Sequence, residues 1–270
     1  MSRMSDTGLL MVDGVFVDPT DAVLRLDDGL VRGDAVFEGL RAYSGRLRTP
    51  GLHLDRLARS AVAIGMDLDR AAVELDLAAL ESRLEGGDVG VRIIVTRAGQ
   101  RILRDEPLPS TAAAWTLAPV AHRITPLLSA SKTVSYAANM QANRVAAAVG
   151  ADQALLVRAD DEAVLEGPTF SVGWVVGEEL RFPPLAHGIL DSITRRLVFE
   201  CVEGVREVDA RVRDLADADG LLVVSTVTES VPVTSLVGVG AYDPDGRRIR
   251  EIRAALAQRV RSDVEVIGVV

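Results

Sequence analysis

The sequence predicts an α+β fold in two domains, and three observations carry that expectation. Strands outnumber helices, the two are interleaved without strict βαβ alternation, and no Gly-x-Gly-x-x-Gly or P-loop pattern follows any strand. The first two disfavour a doubly wound sheet, and the third removes support for dinucleotide- and nucleotide-binding folds. With 270 residues and 48% hydrophobic composition, the chain can bury one large core or two modest ones.

Taken in order, residues 9–12 and 15–17 flank Asp13-Gly14, a two-residue hairpin signal. A longer strand over 35–43 turns at Ser44-Gly45. From His53 the period changes: Leu54, Leu57, Ala58, Ala61 and Ile64 share one helical face, which Gly65 ends. Val73, Leu77, Leu80 and Leu84 mark a second helix ending at Gly86-Gly87. Strands over 91–96 and 113–120 complete a small N-terminal domain, 1–121. A connector, 122–128, contains Pro126. The larger C-terminal domain, 129–270, carries a strand near Val134, a helix over 139–149, strands over 154–157 and 172–176, a helix over 193–202, strands over 221–224 and 233–239, and a last helix over 249–260.

Composition excludes several classes. A net charge of −9, with basic residues scattered among acids, argues against a nucleic-acid partner. One cysteine, Cys201, rules out an internal disulfide and a Cys-rich zinc site, and the three histidines lack metal-ligand spacing, so no metal is expected. No charged stretch followed by a long apolar run opens the chain, and no stretch has the unbroken apolar length of a membrane span. A soluble cytoplasmic protein, without membrane contact, is the economical expectation.

Singly, the residues able to carry chemistry have ordinary readings. Lys132 reads as a surface lysine at a strand start, and Glu166 as a turn acid. Arg56 falls on the polar side of its helix, solvated or salt-bridged, and Thr194 is a first-turn or N-cap residue. Thr226 and Thr228 follow a buried strand, where a turn is expected.

Their order along the chain says more. Blocks at 33–43 (GDAVFEGLRAY), 53–57 (HLDRL), 132–136 (KTVSY), 150–154 (GADQA), 165–167 (LEG), 188–195 (GILDSITR) and 225–233 (STVTESVPV) together closely resemble the class IV, fold-type IV aminotransferases. That family includes branched-chain aminotransferases, D-amino-acid aminotransferases and 4-amino-4-deoxychorismate lyases. The resemblance implies a two-domain fold-type IV enzyme using pyridoxal 5′-phosphate (PLP), small-molecule amino-acid and 2-oxo-acid substrates, and a homodimer.

It also implies roles. Lys132 matches the family's Schiff-base lysine, which moves a proton at the substrate; a lysine does this as a neutral amine. Glu166 matches the acid paired with the pyridine nitrogen, and Tyr136 the residue whose hydroxyl approaches the cofactor's phenolic oxygen. Arg56, the N–H groups of Ile193 and Thr194, and the hydroxyls of Thr194 and Thr226 match the phosphate site, where a helix N-terminus and a forked guanidinium suit an anion. Phe37, Gly39 and Arg92 match substrate-pocket positions, and Val227-Thr228 a turn presenting N–H groups to the substrate carboxylate. The chain departs from the family at Ser171, Gly173 and Ser192, which bears on pocket shape.

The block around Phe37 and Gly39 looks most like branched-chain enzymes, so transfer of an amino group between an aliphatic L-amino acid and a 2-oxo acid is the first reading. The alternative is the lyase, which forms 4-aminobenzoate and pyruvate and more often carries Thr at the Gly39 position. D-specific enzymes add an Arg-x-His pair; here Arg101-Ile102-Leu103 lacks the His. A PLP-free binding protein of the same fold is opposed by the presence of both Lys132 and Glu166.

Overall fold

The computed structural model describes residues 8–110 and 112–266. The opening residues 1–7, part of the stretch read for a targeting signal, lie outside the described residues. The chain forms two compact units: residues 1–109, 131–135 and 262–270, and residues 110–130 and 136–261.

The first unit contains β1 (Leu10–Val12), β2 (Val15–Phe16), α1 (Asp28–Arg32), β3 (Ala35–Tyr43), β4 (Arg46–Leu47), α2 (Pro50–Ala63), α3 (Arg70–Glu81), β5 (Val89–Thr96) and β6 (Arg101–Glu106). Its sheet has the order β2-β1-β6-β5-β3-β4, antiparallel throughout. The β1–β2 turn places Asp13 and Gly14 at φ 50° and 83°, the positive pair that twists a hairpin correctly. Along β3, Val36, Leu40 and Ala42 enter a core with Leu54, Leu57 and Ala61 of α2 and Val73, Leu77 and Leu80 of α3. Strand alternation sends Phe37, Gly39 and Arg41 to the opposite face. β6 was not expected, because its charged sequence (RILRDE) has no clean alternation. It lies between β1 and β5, so ladder bonds on both edges hold it.

The second unit contains β7 (Trp115–His122), α4 (Ala137–Ala148), β8 (Gln153–Arg158), β9 (Ser171–Val176), β10 (Glu179–Phe182), α5 (Ile193–Cys201), β11 (Val205–Glu207), β12 (Gly220–Ser225), β13 (Glu229–Leu236), β14 (Gly240–Ala241) and α6 (Arg247–Val266), the last residues of which, from 262, count with the first unit. The sheet runs β11-β10-β9-β12-β13-β7-β8, with β14 on β13. It is mixed: β10/β11, β13/β7 and β7/β8 pair in parallel and the others antiparallel. Trp115, Phe170, Trp174, Leu221 and Val223 fill its core, the Trp115 and Phe170 rings lying 5.6 Å apart.

The sequence reading places the strand over 113–120 in the first domain, whereas β7 hydrogen-bonds into the second sheet. Near Val134 there is no full strand; residues 132–134 make two bonds to β3 and a single bridge, Val36 to Thr133. At Gly173, where the chain departs from the family, a Cβ would lie 3.0 Å from the Phe182 ring and 3.1 Å from Leu180, which fill the space. Among the described residues, no helix is long and apolar enough to cross a membrane, and no group of acids, histidines or cysteines could hold a metal ion.

Candidate active site

In the first unit, the site is built on β3. The Lys132 carbonyl accepts from the Phe37 N–H at 3.0 Å, and the Val134 N–H donates to the Ala35 carbonyl at 3.0 Å. The Lys132 N–H donates to the buried Ser60 hydroxyl on α2 at 3.0 Å. Two backbone–backbone bonds and one to a serine hydroxyl therefore hold residues 132–134 against strand and helix. Its Nζ lies 4.2 Å from the centre of the Phe37 ring, and the Arg92 guanidinium approaches the same ring at 5.5 Å. Gly39 pairs in register with Arg92, and a Cβ added at Gly39 would meet nothing within 4 Å. Phe37, Gly39, Arg92 and Lys132 thus share one face of the sheet.

Behind that face, Glu38 points into the core at 0% exposure. Its oxygens accept from Arg56 Nε at 2.7 Å, Arg56 Nη2 at 2.8 Å and His53 Nδ1 at 2.8 Å. Burial pushes the Glu38 carboxyl up, but the Arg56 charge and the bonds from Arg56 and His53 outweigh it, holding the group well below the usual carboxylate range. Burial also pushes His53 down, so it stays a neutral imidazole whose Nδ1–H donates to Glu38. The expectation for Arg56 holds in its salt bridge and fails in its placement. It does not lie on a solvated helix face, because His53, Arg56 and Ser60 share the stripe of α2 that carries Leu57 against the sheet, and Arg56 is 6% exposed.

In the second unit, Glu166 lies in the stretch between β8 and β9, its backbone anchored by the Leu156 N–H at 2.9 Å. Its carboxylate accepts from the Leu190 N–H at 3.2 Å. Gly167 is required there, since a Cβ would sit 2.1 Å from the Phe170 ring. The Tyr136 hydroxyl donates to the Pro168 carbonyl, joined by Asn139 Nδ2 at 3.2 Å, so Tyr136 and the Glu166 turn are held together.

Ile193 and Thr194 open α5, where first-turn N–H groups have no intrahelical acceptor. The Ser192 hydroxyl caps the Arg195 N–H at 3.3 Å. Thr194 Oγ1 is buried and has no hydrogen-bond partner among the described residues. α5 rests on β12, the strand that runs into Thr226. Thr226, Val227 and Thr228 form the β12–β13 turn. There the Thr228 N–H donates to Ser225 Oγ at 3.1 Å, a serine hydroxyl taking a turn donor locally.

Sequence reasoning missed Glu38, His53, Ser60 and Glu106. The signal for Glu38 was present: an acid at a core-facing position of β3 demands a buried cation. A second signal was compositional, since Lys132 is the only lysine among 270 residues and the other 29 basic residues are arginines.

Comparison with known proteins gives a consistent result. Residues 35–236 match the family model described as amino-transferase class IV. A Methanocaldococcus jannaschii protein provisionally named branched-chain-amino-acid aminotransferase is 31% identical over 258 residues, 85% of this chain and 88% of that protein. The bifunctional aminodeoxychorismate lyase / D-amino acid transaminase of Mycobacterium tuberculosis is 31% identical over 277 residues, 89% of this chain and 92% of that one. Among solved structures, a fold IV-transaminase from Curtobacterium pusillum has a TM-score of 0.84 at 25% identity, covering 92% of this chain and 98% of that one. The PLP-bound form of a hypothetical aminotransferase from Mycobacterium tuberculosis has a TM-score of 0.79 at 26% identity, with the same coverage.

Proposed function

The chain belongs to the class IV aminotransferases, PLP-dependent enzymes of the fold-type IV architecture, and from that premise we propose that it moves an amino group between an L-amino acid with an aliphatic side chain and a 2-oxo acid. The observation that carries the reading is the single lysine, backbone-fixed on β3 beside an aromatic wall. Arginine is never a neutral amine near pH 7, so Lys132 is the one side chain able to hold the cofactor covalently.

The residues present fit PLP. Thr194 Oγ1 is a buried hydroxyl without a partner among the described residues, on the opening turn of α5, an anion-binding position. In this reading Arg56, the Ile193 and Thr194 N–H groups, and the Thr194 and Thr226 hydroxyls hold the phosphate. Glu166 would pair with the pyridine nitrogen, and the Tyr136 hydroxyl would approach the phenolic oxygen. When bound, PLP supplies an electron sink for charge left on the substrate α-carbon. Lys132 Nζ would take the proton from that carbon and return it, and the Glu166 carboxylate would favour a protonated ring nitrogen. Phe37, Gly39 and Arg92 border the side-chain pocket, and the Val227–Thr228 turn the substrate carboxylate.

The M. tuberculosis relative's name supports the lyase as the second reading, with Gly39 in place of a threonine hydroxyl counting against it. Leu103, at the position of the D-enzymes' histidine, is buried in the core, which counts against D-specificity. We also read the chain as a cytoplasmic homodimer. Val23, Leu26 and Val31, exposed at 85%, 86% and 63%, offer an apolar surface for a second copy, and sedimentation tests the dimer.

The deciding experiment supplies leucine, isoleucine and valine with pyruvate or 2-oxoglutarate, beside a reaction on aminodeoxychorismate. Amino-group transfer supports the proposal. 4-Aminobenzoate formed with no transfer overturns it in favour of the lyase.

A further inference from the structure

Arg92 is a cation beside the proposed reaction centre, since its guanidinium and the Lys132 amine both approach the Phe37 ring, at 5.5 and 4.2 Å. A forked guanidinium at that place would attract the second carboxylate of a dicarboxylic substrate. It is already engaged. Glu106 on β6 accepts from Arg92 Nε at 3.0 Å and Nη2 at 2.6 Å, side-on and bidentate.

The neighbouring strands accommodate this pair. Glu106 lies opposite Gly90, not opposite Arg92, so it must lean diagonally across the sheet to make the contact. Gly90 provides the room: a Cβ there would lie 3.0 Å from Glu106 Cγ. The residue opposite Arg92 is Arg104, exposed, whose Nε donates to the Asp105 carbonyl. Arg41, on the same strand as Phe37, is paired with Asp88 at 3.0 Å.

We infer that Glu106 is a specificity-determining residue. It neutralises Arg92, takes its Nε/Nη2 fork and repels a second carboxylate, so the pocket selects amino acids and 2-oxo acids with uncharged side chains. This rests on the proposed aminotransferase reading and names its substrate class. Pyruvate and aliphatic 2-oxo acids are then better amino acceptors than 2-oxoglutarate.

The test uses PLP-loaded protein and two unreactive ligands, 4-methylpentanoate and glutarate, with affinities from calorimetry. The wild type should bind 4-methylpentanoate more tightly. Glu106→Gln should move the affinity ratio toward glutarate by about tenfold or more, the scale of one charge-assisted contact, with the acceptor preference between pyruvate and 2-oxoglutarate following. Glu106→Gln/Arg92→Gln should abolish the gain. A wild type that prefers glutarate overturns the inference without any variant. So does a ratio that moves less than about twofold in Glu106→Gln, or a gain that survives loss of Arg92. A wild type that transfers no amino group to any oxo acid sinks the aminotransferase reading instead, while the binding ratios still judge Glu106.

Discussion

Replacing Glu38 by Gln isolates what holds α2 to β3. The carboxylate is fully buried and accepts three short bonds, two from a guanidinium that is itself only 6% exposed. Gln cannot carry the charge, and its amide nitrogen would face an arginine donor. Arg56 then becomes a buried cation without its anion, a loss of about 3–5 kcal/mol. The Arg92–Glu106 pair supplies the control, because its side chains are 34% and 26% exposed and screened by solvent, and breaking it should cost about 0–1 kcal/mol. Urea unfolding of the apo protein, followed by circular dichroism, compares Glu38→Gln with Glu106→Gln. Glu38→Leu combined with Arg56→Met should recover most of the loss, since an apolar pair needs no desolvation offset. If Glu38→Gln costs no more than Glu106→Gln, the buried network is not what fastens helix to strand.

Lys132→Ala should leave no cofactor fixed to the protein after borohydride treatment, read by intact mass; a persisting adduct contradicts the assignment. Thr194→Val removes a buried hydroxyl that lacks a partner among the described residues, so apo stability should hold or rise while PLP affinity falls roughly tenfold, measured by cofactor titration. The pH profile follows from His53 and Glu38. Because His53 is lowered from 6.5 in the fold, the unfolded chain binds a proton that the fold refuses, and stability falls as pH drops below 6.5, by up to about 1.4 kcal/mol per pH unit. The Glu38 contribution is present above 4.5 and is lost as pH falls further toward its depressed value. His53→Asn should flatten the profile between pH 6.5 and 5 in urea unfolding, and an unchanged slope would show that another group is responsible.

Much of the local structure was legible because side-chain direction is a local property. The strand over 35–43 matches β3, Asp13-Gly14 located the β1–β2 hairpin, and apolar spacing located α2 and α3. The chemistry was legible for a similar reason: the only lysine, the acid at 166 and the ordered blocks around them are visible without knowing which strands pair. Partners are not local. β7 has an ordinary strand pattern that cannot say which sheet it joins, and parallel pairing with β13 and β8 decides that. Arg56 reads as a surface cation until Glu38, 18 residues earlier, is seen beneath it. Arg92 reads only as a match to a pocket position until β6, which shows no clear pattern of its own, brings Glu106 across Gly90. The sequence by itself determined the family and which groups are on offer, a single lysine among them. Only the tertiary structure decided which charges are neutralised, because an ion pair in a low-dielectric interior depends on strands brought together from distant parts of the chain.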